Sequence, residues 1–332
     1  MVDAPPGALL RRYLAGEHEA AWAEMTAAGP ALREDRTIGD AWAVAQETMR
    51  RARRNVETII RRLDRMGYRF WNGRQGRTGP QPLQMMMGGK VTAFASPEAM
   101  LGQAMRTDLS RIPADMRRHA ERARDRVSVL SGLVQGLQKQ QAAQAQRKAA
   151  IKDHLKDEVV FSAPMKEEIA AVRRLEKEGL ILPLSLRAWA EEVGHVNLSG
   201  EHPALCFWAS EGFPGVYADP LMIFLDHFIL ESEAWLEERE AGGELGPIDA
   251  VLGWDAQAKA RLAVEDEQLD YGYSIALPNA GADANFQGEK HNTTFVNYLR
   301  LAFRWGGFPG WEQEARRPER ELKFLTEGLL PI

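Results

Sequence analysis

Cysteine is almost missing from this chain: Cys206 stands alone in 332 residues. One thiol can neither close an internal disulfide nor build a cysteine metal cage, so a reducing compartment is the expectation. Long apolar runs are missing too. The longest, Ala204 to Ala209, falls far below the ~18–20 residues that span a bilayer. The opening residues, MVDAPPGALLRRYLAGEHE, hold no basic segment followed by an apolar one and do not read as a signal peptide. The expectation is a soluble, cytoplasmic protein with no membrane partner.

Reaction motifs are equally scarce. The histidines His18, His119, His154, His195, His202, His227 and His291 make no HExxH or other recognised ligand spacing. His195 and His202 lie near Cys206, but turn and strand-edge histidines are the better reading than zinc. Ser210, in ASEGF, is not a G-x-S-x-G elbow. Cys206, in the apolar LCFW, reads as an inert buried thiol. GEK at Gly288 to Lys290 lacks the earlier glycine and the following hydroxyl of a phosphate loop. No cofactor, metal or catalytic residue is expected.

Charge, by contrast, is abundant and unevenly placed. The net value of −5 conceals 25 Lys/Arg against 15 Asp/Glu in residues 1–150, and 17 against 32 in residues 151–332. Two solvated surfaces that partly complement each other across a domain contact account for this; a face made for a charged partner is the sharper reading.

The clearest element is a helix from Asp40 to Gly67. Trp42, Ala45, Met49, Ala52, Val56, Ile59, Leu63 and Met66 alternate by three and four, an a/d seam of more than three heptads. Asp40 suits its N-cap and Gly67 its C-terminal stop. Leu9, Leu10, Tyr13, Leu14, Ala21, Trp22 and Met25 predict short helices over that seam. Residues 1–71 thus read as an all-α region and 72–96 as a Gly/Pro-rich loop. Residues 97–158 read as a long helical hairpin or coiled-coil-like projection, with a homo-oligomer seam as one use of it. The Arg-rich helices 50–65 and 111–126 offer a phosphate-tracking surface. Arginine on all their exposed faces and few aromatics argue against nucleic acid.

The remainder, 160–332, reads as an α+β domain with a mixed or antiparallel sheet and flanking helices. Ile169, Val172 and Leu175 line one helix that Gly179 ends, and Pro183 opens a second with a buried stripe of Leu186, Trp189, Ala190 and Val193. Gly194 stops that helix ahead of a strand. Tyr271, Tyr273, Ile275 and Leu277 alternate as a strand ended by Pro278. Further strands are expected at 204–208, 221–225 and 258–264, the last of which, around KARLAVE, also fits a helix. A helix follows through Phe295, Leu299 and Phe303. The turn WGGFPG then tucks Phe308 and Trp311 into the core.

The block LEKEGLILPLSLRAWAEEVGHVNL resembles the opening of the SUKH superfamily, which unites yeast cell-wall-assembly regulators with bacterial toxin-immunity proteins. The matching positions are Leu175-Glu176, Leu182-Pro183, the helix through Trp189 and Val193, and Gly194. The family's doubled glycine is Gly194-His195 here. The likeness spans about 35 residues of the latter half. It implies an α+β domain that acts by binding, as an immunity or regulatory protein that occludes or scaffolds a macromolecular partner. Partner contacts are expected at Trp208, Phe213, Tyr217, Trp254, Asp255, Tyr271, Arg304 and Trp305. Two alternatives stand beside it. One is a hydrolase with an acidic cleft between Asp219–His227 and Asp249–Asp255; the other is a nucleic-acid-associated protein working through helices 50–65 and 111–126.

Overall fold

The computed structural model describes residues 7–34, 38–70, 83–87, 90–94, 160–205, 219–225, 228–229, 232, 235–238, 247–254, 272–313 and 317–332. Helices α1 (Ala8–Leu14), α2 (His18–Ala28) and α3 (Ile38–Met66) open the chain. The heptad seam is real. Ala45, Met49, Ala52, Val56, Ile59 and Leu63 are fully or nearly fully buried, and the helix packs on α1 and on two helices of the latter half. Its C-terminus closes as expected: Gly67 has φ +80, with Gly67 N–H on Asp64 O and Tyr68 N–H on Leu63 O, the paired bonds of a Schellman stop.

Asp40 does a different job from the one expected. It lies inside α3, and its carboxylate accepts the N–H groups of Leu9 (2.8 Å) and Leu10 (3.1 Å). It therefore caps α1, whose own N-cap, Gly7, has no side chain to offer. A Cβ at Gly7 would overlap that carboxylate, so glycine there permits the approach.

The boundary expected between residues 1–71 and 160–332 is not a boundary in packing. Met1–Gly76 and Ile151–Ile332 form one compact unit, and Arg77–Ala150 forms a second. In the second unit, the segment expected as a loop holds an antiparallel hairpin of β2 (Leu83–Met87) and β3 (Lys90–Phe94). The projection expected over 97–158, the helix 111–126 and the strand expected at 258–264 lie outside the described residues.

After the short β1 (Arg69–Phe70) and β4 (Phe161–Ser162) come helices α4 (Lys166–Lys177) and α5 (Leu184–Glu192). Val172, Leu175, Leu186, Trp189, Ala190 and Val193 are buried, as their spacing requires. Gly179 ends α4 at φ +97. Gly194 sits at φ +86, where a Cβ would strike Ser162 O, so this turn tolerates only glycine.

The strands pair antiparallel throughout the described residues. Strand β5 (His195–Asn197) lies between β4 and β7 (Met222–Ile223), while β6 (Gly200–Glu201) returns to β1. Beyond β7, Phe224 N–H donates to Leu252 O at 2.6 Å, bringing up the pair β8 (Ile248–Trp254) and β9 (Gly272–Leu277). Strand β9 follows the expected period, with Tyr273, Ile275 and Leu277 buried. Strand β8 was not anticipated. A bulge between Val251 and Gly253 buries Leu252 and Gly253 in succession, and apolar Val251 on the opposite face blurs the alternation of Ile248, Ala250 and Leu252. Of the strand expected at 204–208, Ala204 and Leu205 lie in a turn, and 206–208 lie outside the described residues. Helix α6 (Phe295–Arg304) and helix α7 (Glu319–Thr326) complete the fold. The result is a mixed helix-and-sheet protein with a long N-terminal helix and small antiparallel sheets. Among the described residues, no helix is long and apolar enough to cross a membrane.

Opposite charges of the two halves meet across this shared core. Arg33 donates to Leu182 O and to Ala280 O (3.2 Å), and approaches Glu176 at 3.4 Å. Arg50 and Gln46 both reach Glu192, at 3.3 and 3.2 Å. The chain's last residues are held by hydrogen bonds to their backbone. Asn55, buried in α3, donates to Leu330 O and accepts from Leu330 N–H, each at 2.8 Å. Arg300 donates to Ile332 O at 2.8 Å. Replacing Asn55 by Ala strands one donor and one acceptor of the tail. The expected cost is about 1–3 kcal/mol, read as a lower urea midpoint at unchanged slope.

Candidate functional site

The segment after α6 is the corner around which the polar groups of the latter half gather. Gly306 and Gly307 adopt φ +62 and +95, and Gly307 N–H bonds to Ala302 O at 2.7 Å. A Cβ on Gly306 would lie 2.6 Å from Leu325 Cβ, and one on Gly307 2.7 Å from Leu198 Cδ1. Helix α7 and the core beside α3 therefore press directly on this backbone. Phe308 and Trp311 are buried, as expected for this turn. Two backbone bonds tie it to the neighbouring segment: Leu221 N–H to Gly307 O at 2.8 Å and Asp219 N–H to Pro309 O at 3.0 Å.

That second bond places Asp219 in a closed aromatic pocket. Its Oδ2 accepts the hydroxyls of Tyr273 (2.9 Å) and Tyr298 (3.3 Å), and Asp219 is only 4 % exposed. Tyr273, Phe286, Phe295 and Tyr298 stack edge-on or tilted around it, with centroids 4.9 to 5.7 Å apart. Burial, then the negative field of Asp219, Tyr273 and Glu289, holds the Tyr298 hydroxyl well above its ordinary pKa, so it stays a donor. Asp283 is a half-buried carboxyl whose pKa is raised by desolvation. It accepts Ala284 N–H (3.0 Å) and Val296 N–H (3.2 Å) and so caps α6.

On the other side of the corner, His291 lies between two carboxylates. Its Nδ1 is 2.9 Å from Glu289 Oε2 and its Nε2 is 2.5 Å from Glu312 Oε1. Each carboxylate is already oriented by backbone: Glu289 accepts His291 N–H (2.8 Å) and Thr293 N–H (2.5 Å), and Glu312 accepts Gly310 N–H (2.8 Å). With an anion at each nitrogen, the ring carries both protons. Burial opposes that charge, but the bonds to Glu312 and Glu289 outweigh it and raise the pKa. The carboxylates occupy opposite edges of the ring, an arrangement that cannot converge on one ion. Among the described residues no group of three His, Cys, Asp or Glu side chains is placed to hold a metal.

A third pair sits at the start of the sheet. His195 Nε2 is 2.9 Å from Glu168 Oε1, while its Nδ1 accepts Leu225 N–H at 3.4 Å. Glu168 also accepts Met165 N–H at 2.8 Å, closing the start of α4. His202, weighed above with His195 as a zinc ligand, instead accepts Ala204 N–H at 3.2 Å, and burial lowers its pKa.

Of the expected contact residues, Trp208, Phe213, Tyr217, Asp255 and Tyr271 lie outside the described residues. Trp254 ends β8 half-buried, edge-on to Phe224 at 6.4 Å. Arg304 is exposed in the last turn of α6. Trp305 follows it half-buried, with the Arg317 guanidinium 5.0 Å above its ring. The acidic cleft is not assembled by its described members. Asp219 is buried against tyrosines, whereas Asp249 is exposed on β8; Asp226, His227 and Asp255 lie outside the described residues. Of the arginines at 50–65, Arg51, Arg53 and Arg62 turn to carbonyls of Pro331, Glu192, Leu325 and Glu327. Sequence reasoning found no cue to Glu168, Glu312 or Tyr298, and weighed His291 only as a metal ligand and Glu289 only as part of a phosphate loop. Glu168 lacks the usual Ser/Thr three residues earlier because Met165 holds that place. Glu289-x-His291 is a local pair with no motif attached.

Compared with protein-family models, curated proteins and solved structures, the chain matches none.

The His291 clasp has a definite pH signature. Unfolded, the ring titrates near 6.5; folded, it titrates higher. Its contribution to stability is therefore complete below the unfolded pKa and is lost as pH rises through the folded one. Thermal melts of wild type and His291→Gln should differ most between about pH 5 and 6, where the carboxylates remain charged, and converge in alkaline buffer. A difference independent of pH would exclude the charged clasp.

Proposed function

We propose that this chain is a non-enzymatic protein-binding module of the immunity or regulatory kind that the SUKH resemblance implies, acting by occluding or scaffolding a macromolecular partner. The observation that carries the reading is how the titratable groups around the corner are spent. Asp219 accepts two tyrosine hydroxyls, and Glu289 and Glu312 hold the two edges of His291. Groups engaged in this way build a rigid scaffold, whereas general acid–base catalysis wants a group facing the proton it transfers. The order of helix, Leu-Pro, helix, glycine turn and strand over residues 166–197 fits the same reading. The surplus of acidic residues in 151–332 suits a basic partner, where opposed fields speed encounter and set specificity. Trp254, Arg304 and Trp305 remain candidate contacts at the rim.

The test uses the full chain, because α3 and the latter half share one core. Immobilised wild type and an Asp249→Lys, Arg304→Glu double variant, both changed at exposed positions, would be challenged with lysate of the source cell. One protein retained by wild type and reduced at least about tenfold by the variant, at equal melting temperature, is the expected result. Turnover of an ester, glycoside or phosphodiester probe that Asp219→Asn abolishes without unfolding would instead establish the cleft.

A further inference from the structure

We propose that the solvent face of α3 is a docking ridge for an acidic segment of a separate partner protein, read by Arg50, Arg54, Arg61 and Arg65. Of these four only Arg50 has a contact described above, with Glu192, and the proposal does not rest on the SUKH reading.

Along the 29 residues of α3, the exposed positions are Gly39, Arg50, Arg54, Arg61 and Arg65. Beyond the first turn, every exposed residue is thus an arginine. Their spacing of i, i+4, i+11 and i+15 places all four within an arc of about 60°, over a length of roughly 22 Å. The helix's other arginines divide from these cleanly. Arg51 bonds Glu47 and Pro331 O, Arg53 bonds Glu57 and Glu192 O, and Arg62 bonds Leu325 O and Glu327 O. On the ridge, Arg50 meets Glu192 at its edge (3.3 Å), and Arg61 bonds only within the helix, to Glu57 O and Thr58 Oγ1. The Arg54 and Arg65 side chains make no hydrogen bond or ion pair among the described residues. Glu57 and Asp64 flank the ridge, and Glu57 is taken by Arg53 at 3.0 Å.

Such a face is unfavourable for the helix by itself. Arg50 with Arg54, and Arg61 with Arg65, are like charges one turn apart, which weaken a helix. Solubility would be served as well by alternating signs. The guanidinium fork adds what an ammonium lacks, a planar pair of donors matched to a carboxylate. Phosphate would satisfy the same fork, but strand binders pair their basic groove with aromatic platforms. The described large apolar side chains that are exposed are Leu14, Met165 and Phe324. The one aromatic among them, Phe324, is covered by Arg62, 5.9 Å from its ring. A partner helix with glutamates at the same spacing would offer one carboxylate to each arginine.

The experiment measures fluorescence anisotropy of three labelled probes against the full chain: a helical peptide with glutamates at i, i+4, i+11 and i+15, an isomer with the same glutamates scattered round the helix, and a single-stranded DNA oligonucleotide. We expect the in-register peptide to bind about tenfold more tightly than its isomer, with affinity falling steeply in salt. Arg54→Lys with Arg65→Lys should weaken it about threefold, and Arg54→Glu with Arg65→Glu should abolish it without lowering the melting temperature. The proposal is overturned by equal binding of the two peptides, by no binding, or by binding that survives the charge reversal. It is also overturned by DNA that binds more tightly and displaces the peptide, or by low-salt self-association that the reversal removes.

Discussion

Burial of α3 from both sides is the constraint on which the rest of the structure depends. A 29-residue helix whose apolar seam faced only α1 and α2 would leave much of that seam wet. Here Met49, Ala52, Val56, Ile59 and Leu63 lie in one continuous core with Trp189, Leu198, Phe308 and Leu325. Apolar burial of this kind, worth roughly 25 cal/mol per Å² removed from water, supplies most of the adhesion between the first 70 residues and the last 170. The ion pairs across the same contact are partly solvated and contribute register more than energy. Arg33 and Arg50 thus fix how the helices of the two segments align, while the seam fixes that they meet at all.

The polar interior of the latter half follows from the same packing. Once Gly306 and Gly307 let α7 and Leu198 close on the corner, Asp219, Glu289 and Glu312 are drawn in with it. Each would be costly there without partners. Two tyrosine hydroxyls, one imidazolium and a set of backbone N–H groups supply those partners. The network supplies a partner to each polar group drawn into the corner, while residues at its rim such as Arg304, exposed in the last turn of α6, contribute little to the core.

Much of the helical framework was legible from spacing. The seam of α3, the stripe of α5 and the glycine stops at Gly67, Gly179 and Gly194 all follow from local rules, because each is decided within a few residues. What was hidden is decided at long range. Asp40 looks like the N-cap of its own helix, and nothing nearby says that it serves Leu9 and Leu10. Strand β8 carries a bulge between Val251 and Gly253 that appears only in its pairing with β9. The hairpin at 83–94 lies in a stretch whose glycines and prolines signal turns more loudly than the strands between them. The clasp at His291 joins residues 21 positions apart and has no sequence signature. The candidate contacts at the rim were visible as aromatics near charges; whether each faces inward is a tertiary property.

Because the first amides of α1 are terminated by a carboxylate borrowed from α3, the N-terminal helix has no independent beginning. Fraying of α3 near Asp40 uncaps α1 in the same event. The first thirty or so residues should therefore exchange their amide hydrogens in concert with the central helix, rather than as a loosely attached arm.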